Sequence, residues 1–223
     1  MKLNKESMLV YAITDRHWTG TQTLEQQVDD VLKNGATFLQ IREKNMPHDE
    51  LVKEAICIKE IAAKYNVPVV IDDDIYAVME AGVDGVHIGQ NDMDYVEARK
   101  LLGDNKIIGM TAPSVTLAKK AEELGADYIG AGAVFNTSTK KDTKPLELST
   151  LKEICNSVSI PVVAIGGIDH SNVRKLKGTD IDGVAVISAL FGASDPGEAT
   201  RELVSIMKDL SLIHISEPTR PIS

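Results

Sequence analysis

The sequence predicts a single (β/α)8 barrel. Three observations carry this reading: eight short runs rich in Val and Ile, amphipathic segments between them, and a glycine-led repeat where helices should end. Continuous apolar strands alternating with helices imply a parallel sheet covered on both faces, because each pair of parallel strands needs a crossover connection. Eight such strands in 223 residues favour a closed barrel over two smaller domains. An open doubly wound sheet is the alternative, but its dinucleotide fingerprint is missing. Gly130-Ala131-Gly132 lacks the third glycine and the distal acid.

In chain order the strands are read at Met8–Ile13, Thr37–Ile41, Pro68–Ile71, Gly85–Ile88, Lys106–Met110, Tyr128–Gly130, Pro161–Ile165 and Gly183–Ile187. Thr23–Lys33, Glu50–Lys64, Ser114–Glu123, Ser149–Cys155 and Glu198–Met207 are among the intervening helices, since apolar residues return there every three or four positions. Gly35-Ala36, Gly82-Val83-Asp84 and Gly125-Ala126-Asp127 recur where a helix gives way to a strand, and each interval spans two βα units. A glycine at that point suits a helix C-cap with positive φ. The barrel is expected over residues 1–210. Residues 211–223 lack periodicity, carry Pro218 and Pro221, and read like translated adapter sequence, so the native end is placed near Leu210.

Composition narrows the function classes. With 43% hydrophobic and 26% charged residues the chain is an ordinary globular protein. A formal charge of −9 without a basic cluster disfavours nucleic acid and anionic membranes as partners, and an anionic ligand then needs a local cationic site. Cys57 and Cys155 lie in apolar helical patterns without a metal-spaced neighbour, and are read as buried, reduced thiols. No apolar run is long enough for a signal peptide or a membrane span, and a cytoplasmic location is expected.

In barrels of this kind ligands bind at the C-terminal ends of the strands, so the residues after each apolar run hold the chemistry. After the second strand, period-two alternation puts Gln40, Arg42 and Lys44 toward the mouth and Ile41 toward the helices. An inward Arg calls for an anion; the competing reading is a surface ion pair with Glu43. The third strand ends in Asp72-Asp73-Asp74 and the fourth leads to Asp92. Carboxylates from adjacent strand ends suit Mg2+, which takes one or two of them and completes its shell with water and phosphate. Asp74 and Asp92 also qualify as helix N-caps. His87 is read as a hydrogen-bonded structural residue. The run Phe135-Asn136-Thr137-Ser138-Thr139-Lys140-Lys141-Asp142 after the sixth strand has the hydroxyls, amides and two cations of a phosphate-binding loop. Gly166-Gly167-Ile168 after the seventh and Ile187-Ser188-Ala189 after the eighth lie where such barrels often hold phosphate on backbone N–H groups. A solvated loop and a simple turn are the plainer readings of the first two.

Taken together, Gln40-Ile-Arg-Glu-Lys44, Asp84-Gly-Val-His-Ile-Gly-Gln90 with Asp92, Thr137-Ser-Thr-Lys-Lys141, Ala164-Ile-Gly-Gly-Ile168 and Gly183-Val-Ala-Val-Ile-Ser188 closely resemble thiamine phosphate synthases. The resemblance covers nearly all of residues 8–209. It implies a small-molecule transferase that joins a pyrimidine diphosphate to a thiazole phosphate by a dissociative route. It also implies that Gln40, Arg42, Lys44 and Lys140 hold the diphosphate substrate, and that Asp73 and Asp92 hold Mg2+. Thr137, Ser138 and Thr139, with Gly167, Ile187 and Ser188, would receive the thiazole phosphate.

Three positions depart from the family pattern: Asp72 where Asn is usual, Thr111 where Ser is usual, and Asn136 where Pro is frequent. Thr111 keeps a hydroxyl, whereas Asp72 adds a negative charge beside the diphosphate. A non-catalytic ligand-binding paralogue, a thiazole tautomerase and a phosphosugar isomerase are the competing functions. Retention of Arg42, Lys44, Asp73, Asp92 and Lys140 argues against the first two, and the paired aspartates against the third. Assembly into a homo-oligomer is left open.

Overall fold

The computed structural model describes residues 3–136 and 145–215. Eight parallel strands close on themselves in sequence order: β1 (Val10–Ile13), β2 (Phe38–Ile41), β3 (Val69–Asp72), β4 (Gly85–Ile88), β5 (Ile107–Thr111), β6 (Tyr128–Gly132), β7 (Val162–Ile165) and β8 (Gly183–Val186). β8 returns to β1 through the register Val10 with Val184 and Ala12 with Val186. Helices α1 (Leu24–Lys33), α2 (His48–Ala63), α3 (Ile75–Ala81), α4 (Tyr95–Leu102), α5 (Val115–Leu124) and α6 (Leu148–Ser157) follow the first six strands. After β7 there is a 3-10 turn at Val173–Leu176, and after β8 a short α7 (Ser188–Phe191) precedes α8 (Pro196–Ile215).

α8 continues past Leu210, where the barrel was expected to end, and residues 216–223 lie outside the described residues. Asp74 caps α3 by accepting from the Ala77 N–H, as its position before Ile75 predicted. Asp92 does not cap α4. That role belongs to Asp94, which accepts from the Val96 N–H. The thiols also differ from expectation, because Cys57 is exposed and Cys155 half-buried. Cys57 sits on a face of α2 that the apolar period alone did not distinguish from the core face.

The glycine-led repeat has a structural counterpart at the bottom of the barrel. Gly35, Gly82 and Gly125 all take positive φ, at 108°, 65° and 93°, a conformation that costs glycine nothing. Two residues beyond each glycine, Thr37, Asp84 and Asp127 turn a side-chain oxygen to the first N–H of the preceding strand or its neighbour: Val10 at 3.0 Å, Val69 at 2.8 Å and Ile108 at 2.8 Å. Asp182 does the same for Val162 at 2.9 Å. Each even strand thus satisfies a donor at the start of the odd strand before it, which a buried backbone requires.

Apolar side chains fill two separate layers. Between strands and helices lies the larger one, including Val28, Ile41, Ile58, Val78, Ile129 and Leu203. Inside the barrel lie Met8, Tyr11, Ile13, Phe38, Val70, Ile107, Tyr128, Val163 and Ala185. Tyr11, Phe38 and Tyr128 meet edge to face, with ring centroids 4.7 to 5.7 Å apart, a favoured aromatic geometry. This plug closes the barrel from below. Ligands therefore meet the strands only from the C-terminal end, and no helix of the described chain is long and apolar enough to cross a membrane.

Candidate active site

Alternation along β2 has the predicted outcome. Ile41 is buried in the outer layer, while Gln40 is buried in the barrel above the aromatic plug. Gln40 is fixed at both ends of its amide: Oε1 accepts from the Tyr11 hydroxyl at 2.8 Å, and Nε2 donates to Asp72 Oδ1 at 2.6 Å. Arg42, one alternation further, has its backbone N–H held by Thr14 Oγ1 at 3.0 Å. Its guanidinium lies between acids from two neighbouring strand ends, with Nε 3.7 Å from Asp72 Oδ2 and an Nη 4.0 Å from Asp15 Oδ2. Glu43 does not pair with Arg42. It accepts from Arg16 at 3.2 Å, and Arg16 also meets Glu54, so this ion pair holds the loop after β1 against the loop after β2 and α2. Lys44 is exposed at the rim.

The three aspartates after β3 diverge. Asp72 stays in the barrel wall, where burial pushes its carboxyl up to about 6; Asp73 adds to the rise, and Arg42 and Lys44 oppose it. The extra charge that distinguishes Asp72 from Asn is therefore directed at Gln40 and Arg42. Asp73 turns out to the rim through a left-handed backbone, φ 57°, with its N–H donating to the His87 carbonyl at 2.9 Å. Its carboxyl is raised by partial loss of solvent and then by Asp92, while Lys44 lowers it. Asp73, Asp92 and Lys44 therefore share one region of the rim. Asp92 Oδ2 accepts from the Gly89 N–H at 2.6 Å.

Two further walls complete the mouth. Thr111, at the end of β5, has its hydroxyl 3.0 Å from His87 Nε2, and its carbonyl accepts from Gln90 Nε2 at 2.5 Å. Across the mouth, Gly166 and Gly167 both have positive φ, 101° and 64°. A Cβ on Gly167 would lie 2.3 Å from the Asn136 carbonyl oxygen, so only glycine lets the loop after β7 pack against the chain leaving β6. Ile187 and exposed Ser188 begin α7 beside it. Thr137, Ser138, Thr139 and Lys140 lie outside the described residues.

Sequence reasoning missed Tyr11, Thr14, Asp15 and Tyr128. Tyr11 and Tyr128 occupy inward positions of apolar runs and read simply as core. Among the described residues no three His, Cys, Asp or Glu side chains converge as a ready-made metal cage. Instead the mouth offers cations, a pair of rim carboxylates and amide or hydroxyl groups, an arrangement suited to a phosphorylated ligand whose charge is shared with a divalent ion.

Comparison with known proteins agrees with this chemistry. Residues 10–190 match the TMP-TENI family, thiamine monophosphate synthase. A thiamine-phosphate synthase of Ruminiclostridium cellulolyticum is 43% identical over 91% of this chain and 97% of its own length. One from Clostridium novyi is 44% identical over 88% of this chain and 97% of its own. A thiamine phosphate pyrophosphorylase structure from Pyrococcus furiosus superposes with a TM-score of 0.85 at 37% identity, covering 92% of this chain and 98% of that one. A likeness of this extent, running through the strands that carry Gln40, Asp72 and Thr111, means that the chain belongs to the thiamine monophosphate synthase family of transferases.

Proposed function

We propose that the mouth binds a pyrimidine diphosphate and a thiazole phosphate and joins them as thiamine phosphate, releasing diphosphate. The observation that carries this reading is the contact of Gln40 and Arg42 with Asp72 at the ends of β2 and β3, with the Thr111 hydroxyl at the end of β5 and Lys44, Asp73 and Asp92 exposed on the rim. Gln40 and Thr111 would hold the heteroaromatic ring. Arg42, Lys44 and Lys140 would hold the diphosphate and oppose the charge that builds as its bond to the methylene carbon breaks. The electrons of that bond leave with the diphosphate, and the thiazole nitrogen supplies the pair for the new C–N bond. The scheme needs no general base, and catalysis then rests on electrostatic stabilisation of the leaving group.

Asp73 and Asp92 fit Mg2+, because Asp73 is raised by partial burial and then by the charge of Asp92, a repulsion that a shared divalent ion would relieve while leaving coordination positions for phosphate oxygens and water. Bound there, Mg2+ would supply charge neutralisation to the departing diphosphate. Thr137, Ser138, Thr139, Gly167, Ile187 and Ser188 would take the thiazole phosphate, with the glycine pair allowing close approach of the chain.

Mixing the protein with both substrates and Mg2+ tests the reading, with thiamine phosphate as the expected product; folded protein that binds substrate but forms none would overturn it. Lys140→Ala is expected to lower kcat by on the order of 10²-fold, the effect of losing one electrostatic stabiliser. A raised KM with unchanged kcat would assign Lys140 to uniform binding instead.

A further inference from the structure

Six side chains from six different strands form an unbroken line of hydrogen bonds across the barrel, running through the two tyrosines of the aromatic plug. Asp72 on β3 accepts from Gln40 on β2 at 2.6 Å, and Gln40 accepts from Tyr11 on β1 at 2.8 Å. Tyr11 is 2.8 Å from the hydroxyl of Tyr128 on β6, Tyr128 is 3.0 Å from Nδ1 of His87 on β4, and His87 Nε2 is 3.0 Å from the Thr111 hydroxyl on β5. Tyr11 and Tyr128 are fully buried, and Gln40 and His87 nearly so. In a buried polar line of this kind each contact needs one donor and one acceptor.

We propose that Asp72, by accepting from Gln40, orders every proton along this line, so that Tyr11, Tyr128 and His87 are positioning residues that fix the polarity Gln40 and Thr111 show to the substrate.

The ordering follows from counting protons. A carboxylate has none to give, so the Gln40 amide must turn its nitrogen to Asp72 and its oxygen to Tyr11. The Tyr11 hydroxyl spends its one proton on that oxygen. In the contact between the two phenols Tyr128 is therefore the donor. Its proton is then spent too, and His87 must donate to it from Nδ1. A neutral imidazole protonated at Nδ1 has an acceptor at Nε2, so Thr111 donates to His87. At the two ends of the line, Gln40 keeps one uncommitted N–H and Thr111 keeps lone pairs. The floor thus offers one donor and one acceptor to whatever lies above it.

Such a pair selects a ring that carries an acceptor nitrogen and an exocyclic amine, and opposes one in which a carbonyl and a ring N–H take their places. This extension rests on the proposed function, in which the ring is an aminopyrimidine. Asp72 acquires a role that is independent of the diphosphate: it anchors the line, and Arg42, 3.7 Å from its other oxygen, shares its charge.

Nitrogen-15 NMR of His87 in the ligand-free protein at pH 8 is the direct test. The expected spectrum shows neutral imidazole protonated at Nδ1 and bare at Nε2. In Tyr11→Phe, Tyr128 loses its acceptor, turns its proton to His87 Nδ1, and the His87 proton is expected to move to Nε2. Nε2 protonation or an imidazolium in the unmodified protein would overturn the proposal, as would an unchanged tautomer in folded Tyr11→Phe. If Tyr11→Phe does not fold, the spectrum of the unmodified protein still decides. A second arm compares the affinities of 4-amino and 4-oxo pyrimidine diphosphates. The unmodified protein is expected to prefer the amine by about tenfold or more, with the preference falling severalfold in Tyr11→Phe. Equal affinities in the unmodified protein would overturn the specificity role. The spectrum is read without substrate, so a failed synthase assay leaves it standing, and a wrong tautomer leaves the synthase reading intact.

Discussion

Replacing Asp73 or Asp92 with alanine is expected to lower turnover by on the order of 10³-fold and to raise the Mg2+ concentration needed for half-maximal activity, while the barrel stays folded. A chain of net charge −9 must bring a diphosphate beside the acids at the ends of β3 and β4. On the proposed assignment a divalent ion between substrate and protein would relieve the repulsion there, so losing one carboxylate would remove both a metal contact and charge stabilisation in the transition state. Neither side chain belongs to either apolar layer, and both are exposed at the rim. Urea melts of the two variants should therefore lie within about 1 kcal/mol of the parent. Asp74→Ala is the matched control. That residue caps α3 through the Ala77 N–H at 2.8 Å, and its loss should cost about 1 kcal/mol without altering the Mg2+ titration. Unchanged Mg2+ dependence in both the Asp73 and Asp92 variants would remove the metal assignment.

The barrel was legible because its signals are local and repeated. Eight apolar runs appear where strands lie, and Gly35, Gly82 and Gly125 mark helix ends because positive φ excludes most other residues. α3 and α4 have two turns each, too few for an apolar period to stand out, and were marked chiefly by acids near their starts. Even there the choice between Asp92 and Asp94 was beyond the sequence, because both precede the helix and only the backbone path decides which oxygen reaches an N–H. The Gln40–Arg42 alternation was readable for the same reason as the strands, because inward and outward positions differ by one residue, but β2 ends at Ile41 and Lys44 lies in the exposed turn beyond it. What could not be read were contacts that join distant strands. Tyr11 and Tyr128 are 117 residues apart and meet only because closure brings β1 and β6 face to face across the interior. Nor could the sequence say that Arg16 rather than Arg42 pairs with Glu43, since that depends on how the loop after β1 folds back.

Gly109→Ala is expected to cost about 4 kcal/mol of stability, although it adds one methyl group to a strand with ordinary backbone angles. A Cβ at this position would lie 2.1 Å from Tyr128 Cζ and 2.4 Å from its hydroxyl oxygen. Tyr128 cannot retreat, because it is fully buried, packs on Phe38 and Tyr11, and is hydrogen-bonded to Tyr11 and His87. Overpacking of this kind costs up to about 3 kcal/mol. Displacing the phenol also breaks at least one buried hydrogen bond, about 1 kcal/mol more. Gly130→Ala is the counterpart on the next strand: there the new methyl would sit 3.5 Å from His87 Cε1, an ordinary contact, and should cost under about 1 kcal/mol. Glycine at 109 is thus explained by the volume of Tyr128, and at 130 the neighbouring ring leaves room. Chemical denaturation of the two variants separates the cases, and equal stabilities would show that Tyr128 has space to move. The functional consequence runs the same way. A displaced Tyr128 interrupts the line from Asp72 to Thr111, so surviving Gly109→Ala protein should lose the Nδ1 proton preference of His87, whereas Gly130→Ala should keep it.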